Sequence, residues 1–486
     1  MALSLLCETV TGPTMADLTA ARDRATAGDM VELRLDGVAD LDVVGALRGR
    51  ARPVIATCRP VWEGGRFDGS EEERLRVLHA ALDEGADYVD VEWQAGFTDL
   101  IRTHASRVVV SSHDFRGVPS DLTSRAAAMR ATGAAVIKIA VTTERLADSL
   151  PLLDIAREGE AVVIGMGDAG VPSRLLASRF GSKWTYAGDG MAPGQVPARR
   201  MIDRFRFRGI GPRSAVYGVV GNNVMHSISP AMHNAAFAAA GIDAVYVPLR
   251  AADFADFLAF ADALRVAGAS VTIPFKLDAL EAAQTADDLT RAVGAANTLR
   301  RRDGGWDATN TDVAGFLDPL LAVTGADLGV GADLKVGPYS RVSVLGAGGA
   351  ARAVVVALLS RGATVTLHAR REEQAKDVAS GFSRKVDVGA WPPAPGSWDV
   401  LVNCTPLGSA AARHESPLPG GVFDGRLVYD LTYGADESPL LREAREAGCR
   451  TLDGLPMLIA QAERQFEWWT GQCPAPGVME QAARCI

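Results

Sequence analysis

The chain has 486 residues, enough for two to four domains at roughly 150 residues each. Its 48% hydrophobic and 22% charged residues are an ordinary globular balance, which excludes disordered and fibrous classes. A net charge of −9 argues against a general nucleic-acid binder. No apolar run approaches the roughly 18 residues of a membrane span. The opening MALSLLCETV has no basic region and meets Glu8 early, so neither a signal peptide nor a membrane partner is expected, and the expected location is cytoplasmic. Cys7, Cys58, Cys404, Cys449, Cys473 and Cys485 form no C-x-x-C pair, and the 7 His show no H-E-x-x-H. Reduced thiols and no metal are expected.

The first 200 residues repeat one pattern. Strand-like runs occur at 3–9, 30–36, 53–59, 87–93, 107–114, 135–141, 161–167 and 183–188, most of them separated by helix-like stretches. Eight such alternations predict an α/β fold, a (β/α)8 barrel. The alternative is an open doubly wound sheet. The barrel is favoured by the polar residues at or near the C-terminal ends of these runs, Glu32, Arg34, Arg59, Asp90, Glu92, His113 and Lys138, joined by the thioether of Met166. A barrel gathers those ends at one mouth, whereas an open sheet spreads them along an edge.

Lys138 lies in AAVIKIAV, apolar on both sides. A lysine there is costly unless paired or functional, and desolvation makes an amine a better nucleophile toward carbonyls. The plainer reading is a lysine whose ammonium snorkels to the mouth. His113 ends the preceding run, and an imidazole beside the lysine can move protons near neutral pH.

ELRLD, TCRP with EGG, SSHDF, IKIA, GMG with SR, and PGQ occur in this order over roughly residues 1–200, and in these segments the chain resembles type I 3-dehydroquinate dehydratase. The resemblance implies a Schiff base between Lys138 and the C3 ketone of 3-dehydroquinate, C2 proton removal by His113, and loss of the C1 hydroxyl as water. It makes Glu63 the residue that positions the histidine. It assigns Glu32, Arg34, Arg59, Met166, Arg174 and Gln195 to substrate, with Arg174 suited to a carboxylate because guanidinium binds one bidentately. Met191 stands where many members have a substrate-binding serine, which implies an altered substrate contact.

The basic stretch 198–213 reads as a solvated helix face or an interdomain contact, and its end as a linker over 208–215. A new unit opens at 216 with strand–helix alternation, and 317–340 shows no clear element. In the substrate half Ser227 and Ser229 stand two apart, able to hold a carboxylate or to form a local turn. Lys276 follows a β-run, and Asn297 and Asp312 come after it. Lys276 and Asp312 together could form a proton-transfer pair or a plain salt bridge.

Gly346-Ala347-Gly348-Gly349-Ala350-Ala351 follows the strand VSVL and opens a helix. That fits G-x-G-x-x-G/A, in which backbone reaches a pyrophosphate at the helix N-terminus. The next run ends in Arg370 and Arg371 with no carboxylate for a ribose hydroxyl, which favours NADP; the alternative is a solvated arginine pair.

With HSISP, VTIPFK, GAANT, NTD, the glycine motif, NCTPLG over 403–408, DLTY and GLPML, residues 216–471 resemble shikimate dehydrogenase. The resemblance implies that Ser227, Ser229, Thr272, Lys276, Asn297, Asp312 and Gln461 bind shikimate or 3-dehydroshikimate, with Lys276 and Asp312 as catalytic dyad. Tyr433, Thr405 and Gly454 would lie near substrate and cofactor. Ser270 replaces a frequent Asn, and Ala369-Arg370-Arg371 a frequent Asn-Arg-Thr. The expected organisation is a barrel over 1–207, a linker over 208–215, and a two-lobed dehydrogenase. Its substrate domain covers 216–330, completed by 455–486, and its NADP-binding Rossmann domain covers 331–454. The product of the first family is the substrate of the second, so the whole chain resembles the bifunctional 3-dehydroquinate dehydratase/shikimate dehydrogenases known from plants. Two other readings stay open, a quinate/shikimate dehydrogenase working catabolically and a non-catalytic metabolite sensor. Oligomeric state is not specified by these signals.

Overall fold

Eight short, largely apolar runs become eight strands: β1 (Leu5–Val10), β2 (Met30–Arg34), β3 (Val54–Thr57), β4 (Tyr88–Glu92), β5 (Val108–Asp114), β6 (Val136–Thr142), β7 (Ala161–Met166) and β8 (Trp184–Ala187). The computed structural model describes residues 3–190, 193–325, 339–382, 384–409, 412–434 and 436–485. Met191 and the expected boundary at 330/331 lie outside the described residues. The strands form one sheet in the order β7-β6-β5-β4-β3-β2-β1-β8, parallel throughout. Its two ends approach: Lys183 N donates to Ala161 O at 2.8 Å and Val163 N to Ser182 Oγ at 3.1 Å. The sheet is therefore a nearly closed barrel, as the polar strand ends predict. Cys7, Ile55, Val109, Val136, Val162 and Trp184 fill its interior. Near-continuous apolar runs are what strands buried on both faces require. The helix Glu71–Asp83 shows how the outer layer is anchored: Ser70 and Glu73 form a capping box, and Arg74, Leu78, Ala81 and Leu82 face inward.

Further along are β9 (Ala215–Gly221), β10 (Ala244–Arg250), β11 (Gly268–Val271), β12 (Thr285–Ala286), β13 (Thr298–Arg302) and β14 (Gly305–Thr309). They form a mixed sheet ordered β10-β9-β11-β13-β14-β12. The last sheet holds β15 (Arg341–Leu345), β16 (Thr364–His368), β17 (Asp387–Gly389), β18 (Val400–Asn403), β19 (Leu427–Asp430) and β20 (Arg450–Leu452). It is parallel in the order β17-β16-β15-β18-β19-β20, the doubly wound nucleotide-binding order with its switch point at β15.

By backbone compactness the chain divides into two units, residues 1–218 with 243–266, and 219–242 with 267–486. In the first unit the 208–215 stretch is not loose. Ile210 and Ser214 are buried, and Ser214 Oγ accepts from Gly211 N at 2.8 Å. The basic stretch before it is partly solvated, with Arg199 and Arg200 exposed, and partly bound, with Arg206 donating to Ala244 O at 3.1 Å.

Candidate active sites

The parallel register places Lys138 of β6 opposite Ser111 of β5, with His113 two residues farther on the same face. Both line a cavity of about 110 Å³ at the strand C-termini, together with Glu32, Arg34, Arg59, Glu63, Met166, Arg174 and Gln195. Every barrel residue singled out from the sequence as catalytic or substrate-binding is thus at one mouth. Lys138 is 5% exposed, and its Nζ lies 3.1 Å from Glu32 Oε1 and 3.1 Å from Asp90 Oδ2. The lysine is therefore paired rather than snorkelled. Tyr186 of β8 presents its ring 4.1 Å from Nζ. Arg59 donates to Glu92 at 2.7 Å and to Ser111 Oγ at 2.8 Å, and pairs with Asp90 at 2.9 Å. Glu32 is held by Thr9 at 3.0 Å and Thr57 at 3.1 Å.

Glu63 Oε1 accepts from the backbone N of His113 at 2.9 Å and lies 2.9 Å from its Nδ1. Burial, with Arg59 and Lys138 adding repulsion, holds the imidazole well below its ordinary range, so it is neutral near pH 7. Burial pushes Glu63 up to about 7, against the pull of Arg59. Asp90 stays well below the usual carboxylate range because Arg59 and Lys138 outweigh its burial.

Arg174 sits in the helix Val171–Leu175, just past β7, and is 2% exposed. Its only described acceptors are two carbonyls, Tyr186 O and Pro193 O, both at 3.4 Å, and Nε has none. Burial lowers it to about 10. No carboxylate among the described residues pairs with this guanidinium, which faces the cavity. A ligand carboxylate is the group that would complete it.

In the second unit Lys276 opens the helix Lys276–Glu281 and Asp312 opens the helix Asp312–Thr324, where an anion is favoured. Lys276 Nζ lies 2.5 Å from Asp312 Oδ2. Asn297 donates to Asp312 Oδ1 at 2.7 Å and approaches Gln461 Oε1 at 3.4 Å. Four of the expected substrate residues thus form one polar cluster. Ser229 N donates to Ser227 Oγ at 3.2 Å, which makes that motif a local turn as well. Thr272 follows β11, its N donating to Val220 O at 3.0 Å. Tyr433 is half-buried after β19. Ser270, in place of the frequent Asn, donates to Gln465 Oε1 at 2.7 Å.

A cleft of about 490 Å³ lies at the β15 switch point and is lined by Gly346, Ala347, Gly348, Arg370, Arg371 and Thr405, with Gln374 and Trp391. Gly346 has φ +109°, and a Cβ there would meet Cys404 O at 3.2 Å. At Gly348 a Cβ would meet nothing within 4 Å, so the space above the turn is open to a pyrophosphate. Gly349 and Ala350 continue into the helix Gly349–Ser360, and Ala351 is buried in the core, the close helix–strand packing its position requires. Gly454 instead abuts the β19 end, where a Cβ would meet Leu431 O at 2.2 Å. Arg370 and Arg371 are exposed at the cleft, with Arg371 donating to Gln374 at 3.2 Å. These features fit a dinucleotide.

Thr9, Phe115, Tyr186 and Gln374 line the two sites without having been singled out. Phe115 sits in SSHDF and stacks on His113 with centroids 6.4 Å apart, a contact its motif could have suggested. Among the described residues no group of three His, Cys, Asp or Glu could hold a metal, and no helix is long and apolar enough to cross a membrane.

Residues 6–212 match the type I 3-dehydroquinase family. Residues 219–299 match the shikimate dehydrogenase substrate binding domain, and 454–484 the shikimate 5'-dehydrogenase C-terminal domain. A chloroplastic bifunctional 3-dehydroquinate dehydratase/shikimate dehydrogenase of Arabidopsis thaliana is 35% identical over 507 aligned residues, 97% of this chain and 83% of the relative. A shikimate dehydrogenase (NADP(+)) of Methanocella arvoryzae is 40% identical over 55% of this chain and 98% of its own length. A solved shikimate dehydrogenase in complex with NADP+ superposes at a TM-score of 0.51 with 30% identity, over 57% of this chain and 96% of the other.

Proposed function

The chain belongs to the bifunctional 3-dehydroquinate dehydratase/shikimate dehydrogenases, and from that premise we propose which residues carry each of its two reactions. It is a lyase and an NADP-dependent oxidoreductase of the shikimate pathway, acting on small-molecule substrates.

At the barrel mouth Lys138 Nζ attacks the C3 ketone of 3-dehydroquinate and expels water, leaving an iminium that draws electrons from C2. His113, neutral at pH 7 and aimed by Glu63, takes the C2 proton. The C1 hydroxyl then leaves as water, and hydrolysis of the imine frees Lys138 and 3-dehydroshikimate. Arg174 binds the ring carboxylate, while Glu32, Arg34, Arg59, Met166 and Gln195 orient the rest. Asp90 and Glu32 hold the free lysine before substrate enters.

In the second unit Lys276 and Asp312 share the proton given to the new hydroxyl oxygen, and Asn297 fixes the carboxylate. Ser227, Ser229, Thr272, Tyr433 and Gln461 bind the ring. When bound, NADPH supplies the hydride. The glycine turn with Thr405 cradles its pyrophosphate, and Arg370 and Arg371 take the 2′-phosphate. The location we propose is the cytoplasm, one of the reducing compartments that six free cysteines suit.

The observation that carries this reading is Lys138 and His113 on adjacent strands, facing one cavity with an uncompensated guanidinium. Supplying 3-dehydroquinate and NADPH to the purified chain should yield shikimate. Borohydride with 3-dehydroquinate should trap an adduct on Lys138, absent in Lys138→Ala. His113→Ala should still trap the imine but dehydrate about 10²–10⁴-fold more slowly. No adduct by mass spectrometry, or one unchanged in Lys138→Ala, overturns the assignment.

A further inference from the structure

The turn that leaves β6, the strand of Lys138, is held in part from outside the barrel family's own stretch. Four consecutive backbone N–H groups there need acceptors. Asp148 Oδ2 takes those of Glu144 and Arg145, each at 2.9 Å. Asp256 takes the next two, Leu146 on Oδ2 at 3.0 Å and Ala147 on Oδ1 at 2.8 Å. Asp256 Oδ2 also accepts from Ala252 N at 3.0 Å. Asp256 is 1% exposed, and its described acceptor contacts are with backbone N–H groups and with Arg145 Nε at 3.8 Å. Arg145 pairs with Asp253 at 2.8 Å, and Arg250 donates to Glu144 O at 3.2 Å.

These groups all fall in the first compact unit, which takes in 243–266, whereas residues 219–299 match the dehydrogenase family. The turn is coupled to the cavity. Thr143, its first residue, directs both N and Oγ1 to Met166 O, at 3.0 and 2.8 Å, and Met166 lines the cavity.

We infer that Asp256, supplied by the dehydrogenase-family stretch, is a positioning residue for the dehydratase reaction, acting through the 143–149 turn on Met166 and the end of the lysine strand. The inference rests on the assignment of the barrel cavity to dehydration, which the borohydride experiment tests separately on the wild-type chain. Both carboxylate oxygens accept N–H groups. Asp256→Asn therefore sets an amide NH2 against a backbone donor in either flip, at nearly unchanged volume.

The test uses the full-length chain and both assays. Asp256→Asn should raise KM for 3-dehydroquinate roughly three- to tenfold, well below the ~10²-fold that a 1 Å misplacement of reacting groups costs. Shikimate oxidation by NADP+ should keep its kcat and KM, and the amides of Leu146 and Ala147 should exchange faster. Asp148→Ala, which removes the acceptor of the neighbouring pair of amides, should move the dehydratase KM in the same direction. A KM within twofold of wild type despite faster exchange at 146 and 147 overturns the proposal. So does an equal loss in both reactions, which marks general destabilisation. If Asp256→Asn does not fold, Arg145→Gln at the partly exposed flank decides. A two- to threefold rise in dehydratase KM, with dehydrogenase constants unchanged, supports the coupling, and an unchanged KM overturns it.

Discussion

Glu63 binds His113 twice through one oxygen, yet its burial makes the charged form expensive and raises it to about 7. Ionised Glu63 is the stronger acceptor for Nδ1–H and the better stabiliser of the imidazolium that forms when Nε2 takes the proton, as the proposed mechanism requires. His113 itself titrates well below its ordinary range, so it does not set the limb near neutrality. Dehydratase kcat/KM should therefore rise with pH through about 7. Glu63→Gln should flatten that limb and lower the plateau by about 10–100-fold, the effect expected of a group that orients another. The stability sign is opposite. A carboxyl whose folded value lies above its unfolded one disfavours folding increasingly between 4.5 and about 7, where the unfolded chain has already released its proton. Glu63→Gln should thus raise Tm at pH 8 and leave it nearly unchanged at pH 4.5. A variant less stable than wild type at pH 8, measured by thermal denaturation, would show that the carboxylate's hydrogen bonds outweigh its burial.

The barrel strands were legible because most are short, apolar, largely buried runs, and those from β2 to β7 carry chemistry-bearing residues at or near their ends, a pattern local enough to read. Tyr186 was not, since its ring reaches Lys138 only once β8 pairs with β1, and no local pattern encodes that pairing. Arg74 hid for a related reason. On an acidic amphipathic helix it reads as a surface charge, but it turns inward to Glu92, with Phe97 4.7 Å from its guanidinium. The β15 turn was legible from its glycines, whereas Gln374 and Trp391 reach the cleft from later elements. On the proposed reading the cofactor is chosen by the segment just past β16. It offers two exposed guanidinium groups at the cleft and no carboxylate for a ribose hydroxyl. A charge-assisted hydrogen bond contributes about 1.5–3 kcal/mol, so the loss of even one in the Arg370→Ala, Arg371→Ala double variant should weaken NADP by at least roughly 10–150-fold, and NAD much less. The check is kcat/KM for both cofactors before and after the double substitution. An unchanged ratio would return the pair to the solvated surface reading.

At the scale of the whole chain, motif order and packing divide the protein differently. Motifs follow chemistry and place a junction at 208–215, whereas backbone compactness carries 243–266 to the barrel unit and runs the division through β9. No local pattern reports this, because Asp256 and Leu146 are joined across 110 residues of sequence. The chemistry nevertheless divides cleanly. Lys276 and its partners Asp312, Asn297 and Gln461 all belong to the second unit, and Lys138, His113, Glu63 and Arg174 all belong to the first. If Lys276 handles a proton as proposed, Lys276→Ala should lower shikimate oxidation by about 10²–10⁴-fold, while dehydration stays within about twofold. Lys138→Ala should do the converse, abolishing dehydration while NADP+-linked shikimate oxidation persists. The two variants mixed should restore the conversion of 3-dehydroquinate to shikimate with NADPH, since 3-dehydroshikimate released by one chain can be reduced by the other. Loss of both activities in a Lys276→Ala protein with wild-type Tm, or a mixture that makes no shikimate, would show that the two sites do not work independently.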